Sequence, residues 1–115
     1  MEGSSPTFLF RISGQQLRLL VQRDHYADGG GLAVLLFDES SGEPFAVASV
    51  NVDGLDLRAD EFVFKTYSEN EGLLEAMLGA GIIEPTGRFA GMGPICRLLM
   101  GVKSADDEVI VMEPM

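Results

Sequence analysis

Leu32-Ala-Val-Leu-Leu-Phe-Asp-Glu-Ser-Ser-Gly-Glu-Pro-Phe-Ala-Val-Ala-Ser-Val-Asn-Val52 is the stretch that decides the fold. Its first seven residues are almost continuously apolar, as expected for a central strand covered on both faces. Glu39 to Pro44 supplies turn chemistry, and Phe45–Val52 returns as a second strand. There Phe45, Val47, Ser49 and Asn51 alternate with Ala46, Ala48, Val50 and Val52. Small residues on both faces imply close packing against another element, expected to be a helix.

Upstream, Thr7–Ile12 (TFLFRI) and Gln16–Gln22 read as two strands of a hairpin around Ser13-Gly14-Gln15, with Leu17, Leu19 and Val21 on one face and Arg18 on the other. Arg23 to Gly31 is polar, ends in three glycines and reads as a loop. Downstream, Asp53 to Asp60 is an acidic loop carrying Leu55 and Leu57, and Glu61–Thr66 (EFVFKT) is a short strand. A helix is predicted over Glu69–Ala80. Ser68 and Glu71 are spaced as a capping box, Leu73, Leu74, Met77 and Leu78 form one apolar stripe, and Gly81 suits a left-handed cap with Ile82 packing back. Pro85, Gly87, Gly91 and Gly93 make Glu84–Gly93 a connection, Pro94–Val102 a strand, and residues 109–112 a short last strand. Together these give an α+β fold: a mostly antiparallel sheet of five to six strands packed against one main helix. Residues 1–6 read as a flexible tail and 7–115 as a single globular domain.

Composition bounds function. Apolar residues at 46% and charged residues at 23% place the chain among globular domains rather than disordered ones. Cys96 is the only cysteine, which excludes an internal disulfide and a multi-cysteine metal site. Met1 to Pro6 carries no basic region of a signal peptide, and no apolar run reaches the length of a membrane span, so a cytoplasmic location is expected. The formal net charge is −10, and Asp38 to Glu75 concentrates it: ten carboxylates against Arg58 and Lys65, a local −8. Such a field repels nucleic acid and anionic lipid and attracts basic protein surfaces. Direct nucleic-acid binding and membrane binding are therefore not expected; Arg11, Arg18 and Arg23 form the only loose basic cluster and are expected on one sheet face.

Within the acidic stretch, Asp53, Asp56, Asp60 and Glu61 lie in the polar connection and are the candidate protein-interaction residues; a solvated, solubilising face is the competing reading. Their spacing lacks the alternating ligands and central glycine of a calcium loop, so no metal is expected. Asp24, His25 and Asp28 suggest an oriented base, but one histidine supplies too few ligands for a metal, and a surface loop histidine is the simpler reading. Asp28-Gly29-Gly30-Gly31 leads into a strand, opposite to a phosphate-binding loop, and no cofactor is expected. Cys96 lies between Ile95 and Arg97, so its side chain is in the core if Arg97 is exposed. A Cys96–His25 nucleophilic pair is the enzymatic alternative. Glu71 and Glu75 share a helix face where early acids complement the dipole.

Ser41-Gly42-Glu43-Pro44-Phe45-Ala46, and Gly81-Ile-Ile-Glu-Pro-Thr-Gly-Arg88 after the helix, followed by Gly93-Pro-Ile-Cys-Arg-Leu-Leu99, stand in an order that resembles an uncharacterised family of small bacterial and mobile-element proteins, a domain of unknown function. The resemblance covers roughly Phe10 to Leu99. It implies no catalytic residues. It implies a context of small acidic cytoplasmic proteins of plasmids and phages, among them inhibitors of host defence. The expectation is a non-enzymatic acidic protein-binding module of anti-CRISPR or anti-restriction type, engaging a basic nucleic-acid-binding surface of a defence complex. The alternatives are a small enzyme using His25 and Cys96, or a structural module that self-associates through its leucine-rich helix or an edge strand.

Overall fold

The computed structural model describes residues 6–26, 31–52, 54–67, 70–91 and 93–99. Eight strands and one helix follow in the order β1 (Thr7–Ile12), β2 (Gln15–His25), β3 (Leu32–Asp38), β4 (Pro44–Val47), β5 (Ser49–Val50), β6 (Glu61–Phe64), α1 (Leu73–Gly79), β7 (Ile83–Ala90) and β8 (Gly93–Leu98). They form two antiparallel four-stranded sheets, ordered β1-β2-β3-β4 and β5-β6-β8-β7. The expected α+β class and antiparallel pairing hold. The single sheet of five to six strands does not, because the chain divides its strands between two sheets.

The division occurs at Ala48. The run expected as one strand from Phe45 to Val52 breaks there into β4 and β5. The Ala48 N–H donates to Val34 of β3 at 2.8 Å, and its carbonyl accepts from Lys65, just past β6, at 2.7 Å. One residue thus bonds to both sheets, and at 0% exposure only a small side chain fits the crossing. The small residues of this segment serve that corner rather than a helix-packing face. Beside it, Asn70 Nδ2 donates to the Val47 carbonyl at 2.8 Å and the Lys65 carbonyl at 3.0 Å, tying the end of β4 to the end of β6.

The β1–β2 hairpin forms as its sequence predicts. Ser13 (φ 51°) and Gly14 (φ 79°) make the two-residue left-handed turn that matches strand twist. Leu19 and Val21 are fully buried, while Arg18 is exposed. β2 runs on to His25, so Arg23 to His25 belong to the strand rather than to a loop, and Arg23 takes the parity of Leu19 and Val21. The three arginines therefore do not share one face. Apolar side chains of both sheets, Phe8, Phe10, Val34 and Leu36 with Phe62, Phe64, Cys96 and Leu98, meet in one core that α1 closes with Leu73 and Met77.

The helix is shorter than its periodicity predicts. It begins at Leu73 because Gly72 (φ 87°) holds the N-cap in a left-handed conformation, with no side-chain cap, and because Asn70 is turned inward as the sheet tie. Glu71 is exposed ahead of it, and the expected capping partner Ser68 lies outside the described residues, as does Glu69. The other end is as predicted: Ile82 N–H bonds to Met77 and Gly81 N–H to Leu78, each at 3.1 Å, a paired closure over the left-handed Gly81. The segment expected as a connection from Glu84 to Gly93 is instead strand β7. Pro85 and Gly87 fit there because β7 is an edge strand whose register slips between Pro85 and Phe89. Thr86 Oγ1 replaces a ladder bond by donating to the Ile95 carbonyl at 2.8 Å. The strand expected over residues 109–112 lies outside the described residues.

Candidate functional site

The acidic connection between β5 and β6 ends at Glu61, the first residue of β6. Register sets Glu61 opposite Arg97 of β8, and Arg97 opposite Glu84 of β7, so an acid, a base and an acid lie in one row across three strands. Arg97 is ion-paired and hydrogen-bonded to Glu84, its Nε lies 3.6 Å from Asp60 Oδ2, and its Nη2 lies 3.9 Å from Glu61 Oε2. Within the irregular stretch of β7 between Pro85 and Phe89, Arg88 places Nη2 2.6 Å from Glu61 Oε1. The Arg58 backbone N–H donates to the same oxygen at 3.0 Å, and the Glu61 N–H returns a bond to the Arg58 carbonyl at 3.0 Å.

Glu61 is consequently an internal anchor. It is 2% exposed, and the Arg88 hydrogen bond, with help from the Arg58 N–H, holds its carboxyl below the usual value. Arg97 is shifted upward, chiefly by its bond to Glu84. This corrects the sequence expectation that Glu61 is free to meet a partner. Asp60 is half-buried and paired with Arg97, Asp56 is exposed, and Asp53 lies outside the described residues. Two arginines distant in sequence thus neutralise part of the loop whose charge motivated it.

The exposed carboxylates without an ion pair among the described residues are Glu43 in the β3–β4 turn, Asp56 in the loop, and Glu71 and Glu75 at the start of α1. Others of the acidic stretch have local work. Asp38 Oδ1 accepts from Ser40 N–H at 3.0 Å and Ser40 Oγ at 2.9 Å, and Glu39 lies 3.6 Å from Arg18. Sequence reasoning passed over Glu43 as a turn residue and assigned Glu71 to capping. Its one clue to Glu43 was the exposed position of a turn.

A cleft of about 310 Å³ lies against the same loop, with His25, Tyr26, Asn51, Leu55, Arg58 and Phe62 in its walls. Tyr26 Oη is 2.7 Å from Ser49 Oγ, which accepts the Val34 N–H at 3.0 Å and so fixes the cleft floor to β3. His25 is exposed at the end of β2, and its N–H donates to Asp24 Oδ1 at 2.8 Å. Cys96 is fully buried in the core and is not among the residues of this cleft's walls, and burial pushes its thiol up to about 11. The Cys96–His25 nucleophilic pair is therefore not assembled: a thiol so placed stays protonated and out of reach of substrate. Asp28, Gly29 and Gly30 lie outside the described residues. Compared with known protein families, curated proteins and solved structures, the chain finds no match.

Proposed function

We propose that the chain is a non-enzymatic, acidic protein-binding module acting in the cytoplasm, which engages a basic nucleic-acid-binding surface of a partner protein. The observation that carries the reading is the set of exposed acids Glu43, Asp56, Glu71 and Glu75, which have no ion pair among the described residues, on a chain of net charge −10. Exposed carboxylates free of internal partners steer association with a basic groove and set its salt dependence. The charge, together with the resemblance to mobile-element proteins, favours an inhibitor of anti-CRISPR or anti-restriction type. Its partner would then be a defence complex whose nucleic-acid channel supplies the basic surface.

The test is capture of nucleic-acid-binding complexes from a bacterial extract at about 50 and 500 mM salt, with the wild-type chain and a Glu43→Gln, Asp56→Asn, Glu71→Gln, Glu75→Gln variant. At the higher salt, screening shortens to a few ångströms and exposed ion pairs weaken. A partner retained only at low salt, lost in the variant and released by added nucleic acid is the expected result. Binding indifferent to salt and to all four substitutions would remove the reading.

A further inference from the structure

The cleft beside the acidic loop is separate from the proposed docking surface, since none of Glu43, Asp56, Glu71 and Glu75 lines it. It lies in the seam between the two sheets. The end of β2 and the start of β3 supply one side; β5, β6 and the connection between them supply the other. At about 310 Å³ it falls at the small end of the roughly 300–1,000 Å³ usual for small-molecule sites.

Its charge runs against that of the chain. Acids outnumber bases 18 to 8 overall, yet among the described residues of the cleft walls the one acid is Glu61. That carboxylate is already matched: Oε1 takes Arg88 Nη2 at 2.6 Å and the Arg58 N–H at 3.0 Å, and Oε2 lies 3.9 Å from Arg97 Nη2. Arg58 is held at the wall by its reciprocal backbone bonds with Glu61, while its guanidinium has no ion pair among the described residues. Asp56, two residues earlier, lines the neighbouring groove with Arg88 and Arg97 and not this cleft. The unmatched charge of the described walls is therefore positive.

Neutral donors and apolar surface complete the site. The Tyr26 N–H bonds to Gly31 O at 2.9 Å, and a Cβ on Gly31 would stand 3.9 Å from Asn51 Oδ1 and 4.0 Å from the Tyr26 ring. The Asn51 amide thus sits beside Tyr26, whose own hydroxyl is engaged by Ser49. Leu55, Leu57 and Phe62 give the apolar walls, and Leu55 is left 38% exposed.

We infer that this cleft binds a small monocarboxylic acid with a branched or aromatic body. The Arg58 guanidinium offers two parallel N–H donors to the carboxylate, and the Asn51 amide adds a third. The body of the acid replaces water against Leu55, Leu57 and Phe62.

The test is a titration of the isotope-labelled full chain, followed by amide chemical shifts, at about 150 mM salt, where the field of the distant acids is screened. The probes are isocaproate, cyclohexylacetate, phenylacetate and hydrocinnamate, each beside its neutral primary amide. At least one acid is expected to saturate shifts at Tyr26, Val52, Leu57 and Arg58, with its amide about tenfold weaker, as loss of a charge-assisted hydrogen bond implies. Arg58→Gln should weaken the acid about tenfold and leave its amide unchanged, whereas Arg11→Gln, which removes the same charge from β1, should change neither. The acid–amide preference is read on the native chain, so it stands or falls whatever the variants do to stability. The inference is overturned if no acid saturates at up to about 10 mM, if the shifts map away from the cleft, or if amide and acid bind alike. Equal weakening by Arg58→Gln and Arg11→Gln overturns it as well.

Discussion

Replacing Gly93 by alanine places the sheet packing under a direct test. A Cβ added at Gly93 overlaps the Phe64 carbonyl oxygen, a contact that no folded backbone accommodates without moving. The obstacle is main chain, so no rotamer change relieves it. Phe64 is fully buried and pairs with Ser49 of β5, while Gly93 pairs with Ala90 of β7. Separating β8 from β6 by the required ångström therefore strains both flanking pairs. Overpacking of a core commonly costs about 1–3 kcal/mol. With the strain on rigid backbone, we expect the upper end, about 3 kcal/mol, and a fall in Tm of roughly 12 °C for a chain of this size. Gly79→Ala is the matched control: nothing lies within 4 Å of a Cβ there and the backbone is helical, so alanine should stabilise by about 0.5–1 kcal/mol. Urea unfolding followed by circular dichroism measures both. If Gly93→Ala is as stable as wild type, or the control loses as much, the close approach of β8 to Phe64 is not as described.

Three further outcomes are expected. Asn70→Ala removes the donors of two carbonyls and also an Oδ1 that has no partner of its own, for a net loss of about 2 kcal/mol. Asn70→Asp, which sets a carboxylate against the same two carbonyls, should unfold at still lower urea. Glu61→Gln should lower the urea midpoint at pH 7. Because the folded carboxyl titrates below its unfolded value near 4.5, its contribution is complete above that pH and is lost as pH falls through the lower folded value; the gap between wild type and variant should close on acidification. A gap that widens in acid would show that Glu61 is not held ionised by Arg88. The Cys96 thiol, buried and raised to about 11, should react with a disulfide reagent at pH 8 only at the rate of global unfolding, and rapid labelling of native protein would contradict its placement.

Local rules were enough wherever one segment satisfied its own bonds. The TFLFRI hairpin, the apolar β3 and the Gly81 closure of α1 are written in alternation, turn chemistry and a left-handed glycine. The burial of Cys96 was also legible, from its alternation with Arg97. The candidate site was legible only in part. Charge counting located the acidic loop, in which Asp56 is exposed, yet it treated Glu61, which is buried, in the same way.

What the sequence by itself determined is the class of this protein: an acidic α+β chain of antiparallel strands with one helix. The tertiary structure alone decided three matters, all between residues distant along the chain. Ala48 hands the chain from one sheet to the other because its two bonds go to Val34 and Lys65, which no local pattern encodes. Asn70 leaves the helix because its amide is worth more between two strand ends than in a first turn. Arg88 and Arg97 reach Glu61 across sheet register, converting the last acid of the loop from a surface charge into an internal anchor. Periodicity and composition report what a residue prefers along its own segment; a partner supplied 27 or 36 residues later, as Arg88 and Arg97 are to Glu61, exists only once the strands have paired.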